Sequence, residues 1–281
     1  MGKVEVRLAE YAGACYGVQR ALDMTYQVSS EGGRVWTLGP LIHNPRVVNE
    51  LEEEGIVAAS SVDDITEGSV VIRSHGVVPE TIEELKRREF RVVDATCPHV
   101  LRAQRAAEKL ARDGFYVLVI GEAGHPEVEG ISAHARAAGG KCSIVVEPAD
   151  IPEALPAQVG VVVQTTQSRK VLNAVVDALC QKGIQPLVKD TICFATTQRQ
   201  EAAVQLAQDA QVMIVIGGRN SSNTTRLFEL CQQYCDHAYH IETVDEIDPA
   251  WFEEGMIVGV SAGASTPENQ IDAVVSFLES L

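Results

Sequence analysis

Apolar positions along the chain recur in two rhythms, and the rhythms alternate. Val4 to Leu8 interleaves Val and Leu with charged residues, the period of a strand with one buried face. Phe90-Arg91-Val92-Val93 and Pro186-Leu187-Val188-Lys189 read the same way. Each run leads to a cysteine, through Gly13-Ala14-Cys15, Asp94-Ala95-Thr96-Cys97 and Asp190-Thr191-Ile192-Cys193. Helix-period sequence follows every one. The predicted apolar faces are Val18, Leu22 and Tyr26, then Ala103, Ala107 and Leu110, then Ala203, Leu206 and Ala210.

The next element is again a strand, predicted at 34–38, 115–120 and 212–216 and closing on Gly39, Gly121 and Gly217. A polar loop comes after each: Ile42-His43-Asn44-Pro45, Gly124-His125-Pro126-Glu127 and Asn220-Ser221-Ser222-Asn223. Further on stand Ile65, Ile151 and Ile247 in similar acidic contexts, 50, 54 and 54 positions beyond their cysteines. A last apolar strand and polar loop close each copy, the loops being Ser74-His75-Gly76, Gln164-Thr165-Thr166 and Ser261-Ala262-Gly263-Ala264-Ser265. The chain is therefore a threefold repeat of about 90 residues.

Strands alternating with helices imply right-handed crossovers and parallel sheets, whose ligands sit beyond the carboxyl ends of the strands. The expected fold is α/β, with three small lobes of mostly parallel sheet in a pseudo-threefold arrangement, strand ends inward. Their expected bounds are 15–97, 98–193 and 194–281, with 1–14 lending a strand to the third.

Charge and composition narrow the chemistry. Over 281 residues, 23 Lys and Arg face 39 Asp and Glu, a formal charge of −16 that repels polyphosphate chains and anionic lipid. Nucleic acid and membrane are not expected partners. The longest apolar runs fall far short of the roughly 20 residues a membrane helix needs, and no signal-peptide core follows the start, so a cytoplasmic location is expected.

Seven cysteines without small-scaffold spacing argue against a disulfide framework. One strand-end thiol per repeat suits a metal centre with an open coordination position, such as a 4Fe-4S cluster held by Cys15, Cys97 and Cys193. Cys142 and Cys180 read as packing residues, Cys231 and Cys235 as one helix face. The loop residues His43, His75, His125, Thr165, Ser221, Ser222, Asn223 and Ser265 are neutral donors that suit a small anion. Glu127, at a repeat-equivalent loop position, fits a proton donor, whereas Glu129 reads as solvated. A three-cysteine Fe-S hydro-lyase and a non-catalytic Fe-S sensor share some of these features.

The segments Asp94-Ala95-Thr96-Cys97-Pro98, Ala123 to Gly130, Gln164-Thr165-Thr166, Ala195-Thr196-Thr197-Gln198-Arg199-Gln200, Asn220-Ser221-Ser222-Asn223 and Ala262-Gly263-Ala264-Ser265 resemble the signatures of the 4-hydroxy-3-methylbut-2-enyl diphosphate reductase family. The likeness runs through the whole chain in order. It implies a 4Fe-4S cluster on Cys15, Cys97 and Cys193, and a diphosphate held by His43, His75, His125, Ser221, Ser222, Asn223 and Ser265. By the same resemblance Thr165 and Glu127 would stand near the substrate hydroxyl, with ferredoxin or flavodoxin as electron donor. One departure is Ala14, where the family usually carries an aromatic residue.

Overall fold

The computed structural model describes residues 3–281. The chain begins with β1 (Glu5–Leu8), α1 (Tyr16–Ser30), β2 (Val35–Leu38), α2 (Pro45–Glu53), β3 (Ile56–Ala59), β4 (Ser69–Ile72), α3 (Pro79–Arg87) and β5 (Arg91–Asp94). It continues through α4 (Pro98–Arg112), β6 (Tyr116–Ile120), α5 (Pro126–Ala137), β7 (Cys142–Val145), β8 (Val159–Val163), α6 (Arg169–Gln181) and β9 (Leu187–Lys189). The last third holds α7 (Phe194–Asp209), β10 (Val212–Ile216), α8 (Ser222–Cys231), β11 (Ala238–Ile241), β12 (Ile257–Ala262) and α9 (Glu268–Glu279).

These strands form three four-stranded sheets, ordered β3-β2-β4-β5, β7-β6-β8-β9 and β1-β12-β10-β11. Every pairing is parallel, as the crossover helices require. The orders are equivalent once β1 is set in the place that β5 and β9 take, and Glu5 to Leu8 do pair with Ile257 to Val260. Three short 3-10 turns, Val62–Asp64, Pro148–Asp150 and Val244–Glu246, occupy matching places. Each carries an acid that takes the N–H of the capping residue, as Ser61 donates to Asp64 at 2.8 Å and Glu147 to Asp150 at 2.9 Å. Ile65, Ile151 and Ile247 follow them into the cores.

The residues separate into two compact units. A terminal unit comprises residues up to Val18, His43–Val47 and Phe194–Leu281; a central unit comprises Gln19–Ile42 and Val48–Cys193. The terminal unit contains the third sheet, with Val212, Ile214, Val260, Ile271 and Val274 on one side and Ala203, Met213, Val215 and Leu227 on the other. The central unit contains the other two sheets with their own cores.

Two predicted helix faces are shifted. In α1 the buried stripe is Val18, Ala21, Thr25 and Val28, while Tyr26 is 38% exposed. Thr25 tolerates that burial because its hydroxyl donates to the Ala21 carbonyl at 2.7 Å. In α7 the stripe is Thr196, Arg199, Ala203 and Ala207, with Leu206 and Ala210 only partly covered. The α4 face of Ala103, Ala107 and Leu110 is wholly buried, as predicted.

Candidate functional site

The polar loops predicted after the second strand of each repeat run, in the structure, directly into the first turns of α2, α5 and α8. Site-type side chains cap all three. Asn44 Oδ1 accepts the N–H of Arg46 at 3.1 Å and of Val47 at 3.4 Å. His125 Nδ1 accepts the Glu127 N–H at 3.1 Å, and Ser221 Oγ accepts the Thr224 N–H at 3.3 Å. Helix N-termini concentrate unpaired N–H groups and positive potential, which suits an anion without needing Lys or Arg.

In the terminal unit, two opposed bonds stitch the His43 loop to the loop after β12. Asn44 Nδ2 donates to the Ser265 carbonyl at 2.9 Å, and Ser265 Oγ donates to the His43 carbonyl at 3.0 Å. Gln270, buried on α9, accepts a second bond from Asn44 at 3.1 Å. Ser221 caps α8, and Ser222 and Asn223 lie on its first turn, all buried. The Asn223 amide has no partner at either its nitrogen or its oxygen among the described residues. A buried amide left unpaired costs about 1–3 kcal/mol, and this one has both a donor and an acceptor to offer a polar guest.

In the central unit, His75 and His125 meet edge to face, ring centres 5.6 Å apart. Because His125 Nδ1 accepts a hydrogen bond, the neutral ring carries its proton on Nε2 and presents a donor there. Glu127 lies on the first turn of α5 and is 1% exposed. Its Oε1 takes the Thr165 N–H at 2.6 Å and its Oε2 takes the Thr165 hydroxyl at 2.9 Å. Burial pushes its carboxyl up to about 7, against the two bonds from Thr165, which favour the charged form. Glu129 accepts the Gly124 N–H at 3.1 Å and is half-buried, which corrects its reading as merely solvated. Gln164 Nε2 and the Thr166 hydroxyl are buried without partners among the described residues, a pair that residue chemistry alone did not single out although both flank Thr165 in one motif.

The three repeat cysteines share one backbone device. The N–H of Cys15 donates to the Ala264 carbonyl, that of Cys97 to Ser74 and that of Cys193 to Thr165, each at 2.9 Å. Each acceptor belongs to the loop after β12, β4 and β8 respectively, so the thiols leave equivalent points of their sheets. All three are half-buried and outside any disulfide. A set of three thiols suits a thiophilic centre such as an iron-sulfur cluster.

The other four cysteines differ. Cys231 and Cys235 pack in the core beside β10, with Cys235 just past the end of α8, and burial pushes the Cys231 thiol up to about 12. Cys142 opens β7, its thiol facing the Ser132 carbonyl at 3.6 Å. Cys180 is a correction: it stands half-exposed near the end of α6, 3.7 Å from Gln185 Oε1, rather than packed inside.

The LytB protein family model matches residues 6–279. The chain is 46% identical over 281 residues to the 4-hydroxy-3-methylbut-2-enyl diphosphate reductase of Geotalea uraniireducens, covering 99% of this chain and 98% of that one. With the reductase of Geobacter sulfurreducens the identity is 45%, covering 98% and 97%. Among solved structures, an (E)-4-hydroxy-3-methyl-but-2-enyl diphosphate reductase described as the terminal enzyme of the non-mevalonate pathway is 42% identical, with a TM-score of 0.74 over 99% of this chain and all of that one. The Plasmodium falciparum enzyme is 26% identical with a TM-score of 0.92, covering 99% and 88%. On this agreement of sequence and fold, the chain belongs to the 4-hydroxy-3-methylbut-2-enyl diphosphate reductase, or LytB, family.

Proposed function

We propose that the chain reductively removes the hydroxyl of (E)-4-hydroxy-3-methylbut-2-enyl diphosphate, forming isopentenyl and dimethylallyl diphosphate. Cys15, Cys97 and Cys193 are the residues assigned to hold a 4Fe-4S cluster. Bound there, the cluster supplies two electrons, one at a time, and Lewis acidity toward the allylic oxygen. A reduced ferredoxin or flavodoxin is the donor class assigned, in the cytoplasm, and each sheet with its helices is read as one lobe, bounded near Cys97 and Cys193.

The protein's share is positioning and proton supply. His43, His75, His125, Ser221, Ser222, Asn223 and Ser265 are the residues assigned to the diphosphate. Ser265 already gives its proton to the His43 carbonyl, so its diphosphate role would require that bond to turn. His125 presents Nε2–H, and Asn223 offers an amide with no internal partner. These are preorganised donors, which stabilise charge without reorganising when it appears.

The observation that carries the reading is the buried Glu127–Thr165 pair. A carboxyl pushed up to about 7 keeps its proton in a large fraction of molecules at neutral pH. With that proton on Oε2 the 2.9 Å bond to the Thr165 hydroxyl runs the other way, and Thr165 can hand its own proton to a departing hydroxyl as it takes the one from Glu127. Anaerobic reconstitution, electron paramagnetic resonance and assay with the hydroxylated diphosphate and a one-electron donor test the proposal. Formation of the two dehydroxylated diphosphates is expected. A chain with full iron that converts nothing, or that loses water from substrate without consuming reductant, overturns it.

A further inference from the structure

Each repeat cysteine is followed by a helix carrying an arginine at nearly the same distance. Arg20 comes five residues after Cys15, Arg102 five after Cys97 and Arg199 six after Cys193. Every one donates to a main-chain carbonyl just ahead of a different cysteine. Arg20 Nη1 reaches the Thr96 carbonyl at 3.2 Å, and Arg102 Nη2 reaches that of Ile192 at 3.3 Å, both within the central unit. Within the terminal unit, Arg199 closes on the Gly13 carbonyl with Nη2 at 2.7 Å and Nε at 3.2 Å, while its Nη1 holds the Ala195 carbonyl at 2.9 Å.

The carbonyls chosen matter. A peptide group is planar, so its C=O and N–H are held together. The Thr96–Cys97 peptide is gripped at both ends: Arg20 takes its oxygen and the Ser74 carbonyl takes its N–H. The Ile192–Cys193 peptide is gripped likewise, by Arg102 and the Thr165 carbonyl. Ahead of Cys15 the grip lies one residue earlier. Arg199 holds the Gly13 oxygen, the Gly13 and Cys15 N–H groups go to Ala262 and Ala264, and Gly13 adopts φ +86 against α9. Fixing these planes constrains the backbone from which each thiol projects.

We infer that Arg20, Arg102 and Arg199 are positioning residues for Cys97, Cys193 and Cys15 respectively, each helix that follows one cysteine holding the peptide that presents another. The inference rests on the ligand assignment made under Proposed function. Its strength is graded by burial. Arg199 is 7% exposed and makes a two-pronged charge-assisted bond, whereas Arg20 is half-buried and Arg102 exposed to water, which weakens a hydrogen bond.

Ala14 itself is exposed, so the segment ahead of Cys15 is held by its backbone and not by burial of that side chain.

The test is thiol alkylation of the metal-free full chain with N-ethylmaleimide, the modified peptides being quantified for Cys15, Cys97 and Cys193 separately. Arg199→Met is expected to raise the Cys15 rate by about tenfold, the loss of one charge-assisted bond, and to leave the other two near wild type. Arg20→Met should raise only Cys97, by less, and Arg102→Met only Cys193, by least. Lys at each position keeps the charge and one bond and should restore most of the protection. On the reconstituted holoprotein the same variants should lose iron to a chelator in the same order.

Rates that rise together at all three cysteines would show a merely structural role, and rates that do not change would show none; either overturns the inference. Should Arg199→Met fail to fold, Arg199→Lys and the two central-unit variants decide it. A wild-type chain that takes up no iron would fell the ligand assignment, while the alkylation pattern would still decide the positioning.

Discussion

Glu127 and Glu129 sit two residues apart on the first turn of α5, and their surroundings separate them. Glu127 is buried with both oxygens on Thr165, whereas Glu129 reaches water and holds one loop N–H. Glu127→Gln keeps the shape but carries no acidic proton, so turnover at matched iron content should fall by about 10²–10⁴, with Glu129→Gln near wild type. Equal, near-wild-type rates in the two variants would remove Glu127 as the acid.

The same burial gives stability a pH signature. The folded chain holds the Glu127 proton to about pH 7 against an ordinary 4.5, so folding binds that proton more tightly. The stabilisation is complete below pH 4.5 and is lost as pH rises through 7, about 3 kcal/mol in all. Urea unfolding of the metal-free wild type, compared with Glu127→Gln, should show this loss between pH 5 and 7.5; parallel profiles would contradict the raised carboxyl.

At the scale of elements, three helices begin on capped site residues, and capping can be separated from ligand binding on α8. Ser221→Ala removes the bond to the Thr224 N–H and should lower stability by about 1 kcal/mol in thermal unfolding. Asn223→Ala removes an amide that nothing in the fold pairs, so stability should hold or rise. Diphosphate affinity should instead weaken by about 10- to 150-fold, which calorimetry with the product would measure. Unchanged affinity in Asn223→Ala would take that residue out of the site.

The helix faces show where periodicity misleads. It placed Tyr26 inward in α1, but Thr25 satisfies itself on the Ala21 carbonyl and turns in, leaving the bulky ring at the surface. It also placed Leu206 and Ala210 with Ala203 on the α7 face, and missed that Arg199 belongs to the buried stripe, because a charged residue scores as surface until a carbonyl is found for it.

At the scale of the whole molecule, seven thiols divide into three held by an equivalent backbone bond and four in unrelated settings. Changing Cys15, Cys97 or Cys193 to Ser should abolish or destabilise the cluster. Ala at Cys142, Cys180, Cys231 or Cys235 should leave iron content intact, with a lower melting temperature for the fully buried Cys231. Wild-type iron and turnover in Cys97→Ser would refute the assignment.

The repeat, the parallel sheets and the strand-end cysteines follow from sequence alone, because strand period, helix period and turn residues are local and were written three times. The likeness of six long motifs to one reductase family was legible for the same reason, each motif being contiguous. Whether Glu127 is buried, which atom of His125 carries the proton, and which carbonyls the arginines take were decided only by the tertiary structure. Those properties depend on partners 38, 76, 90 and 186 positions away, as in Thr165 to Glu127, Arg20 to Thr96, Arg102 to Ile192 and Arg199 to Gly13, or on the exact turn a helix makes at its first residue. Periodicity carries no information about either, since hydrogen bonds across such separations are chosen by how the layers pack and not by the spacing within any one of them.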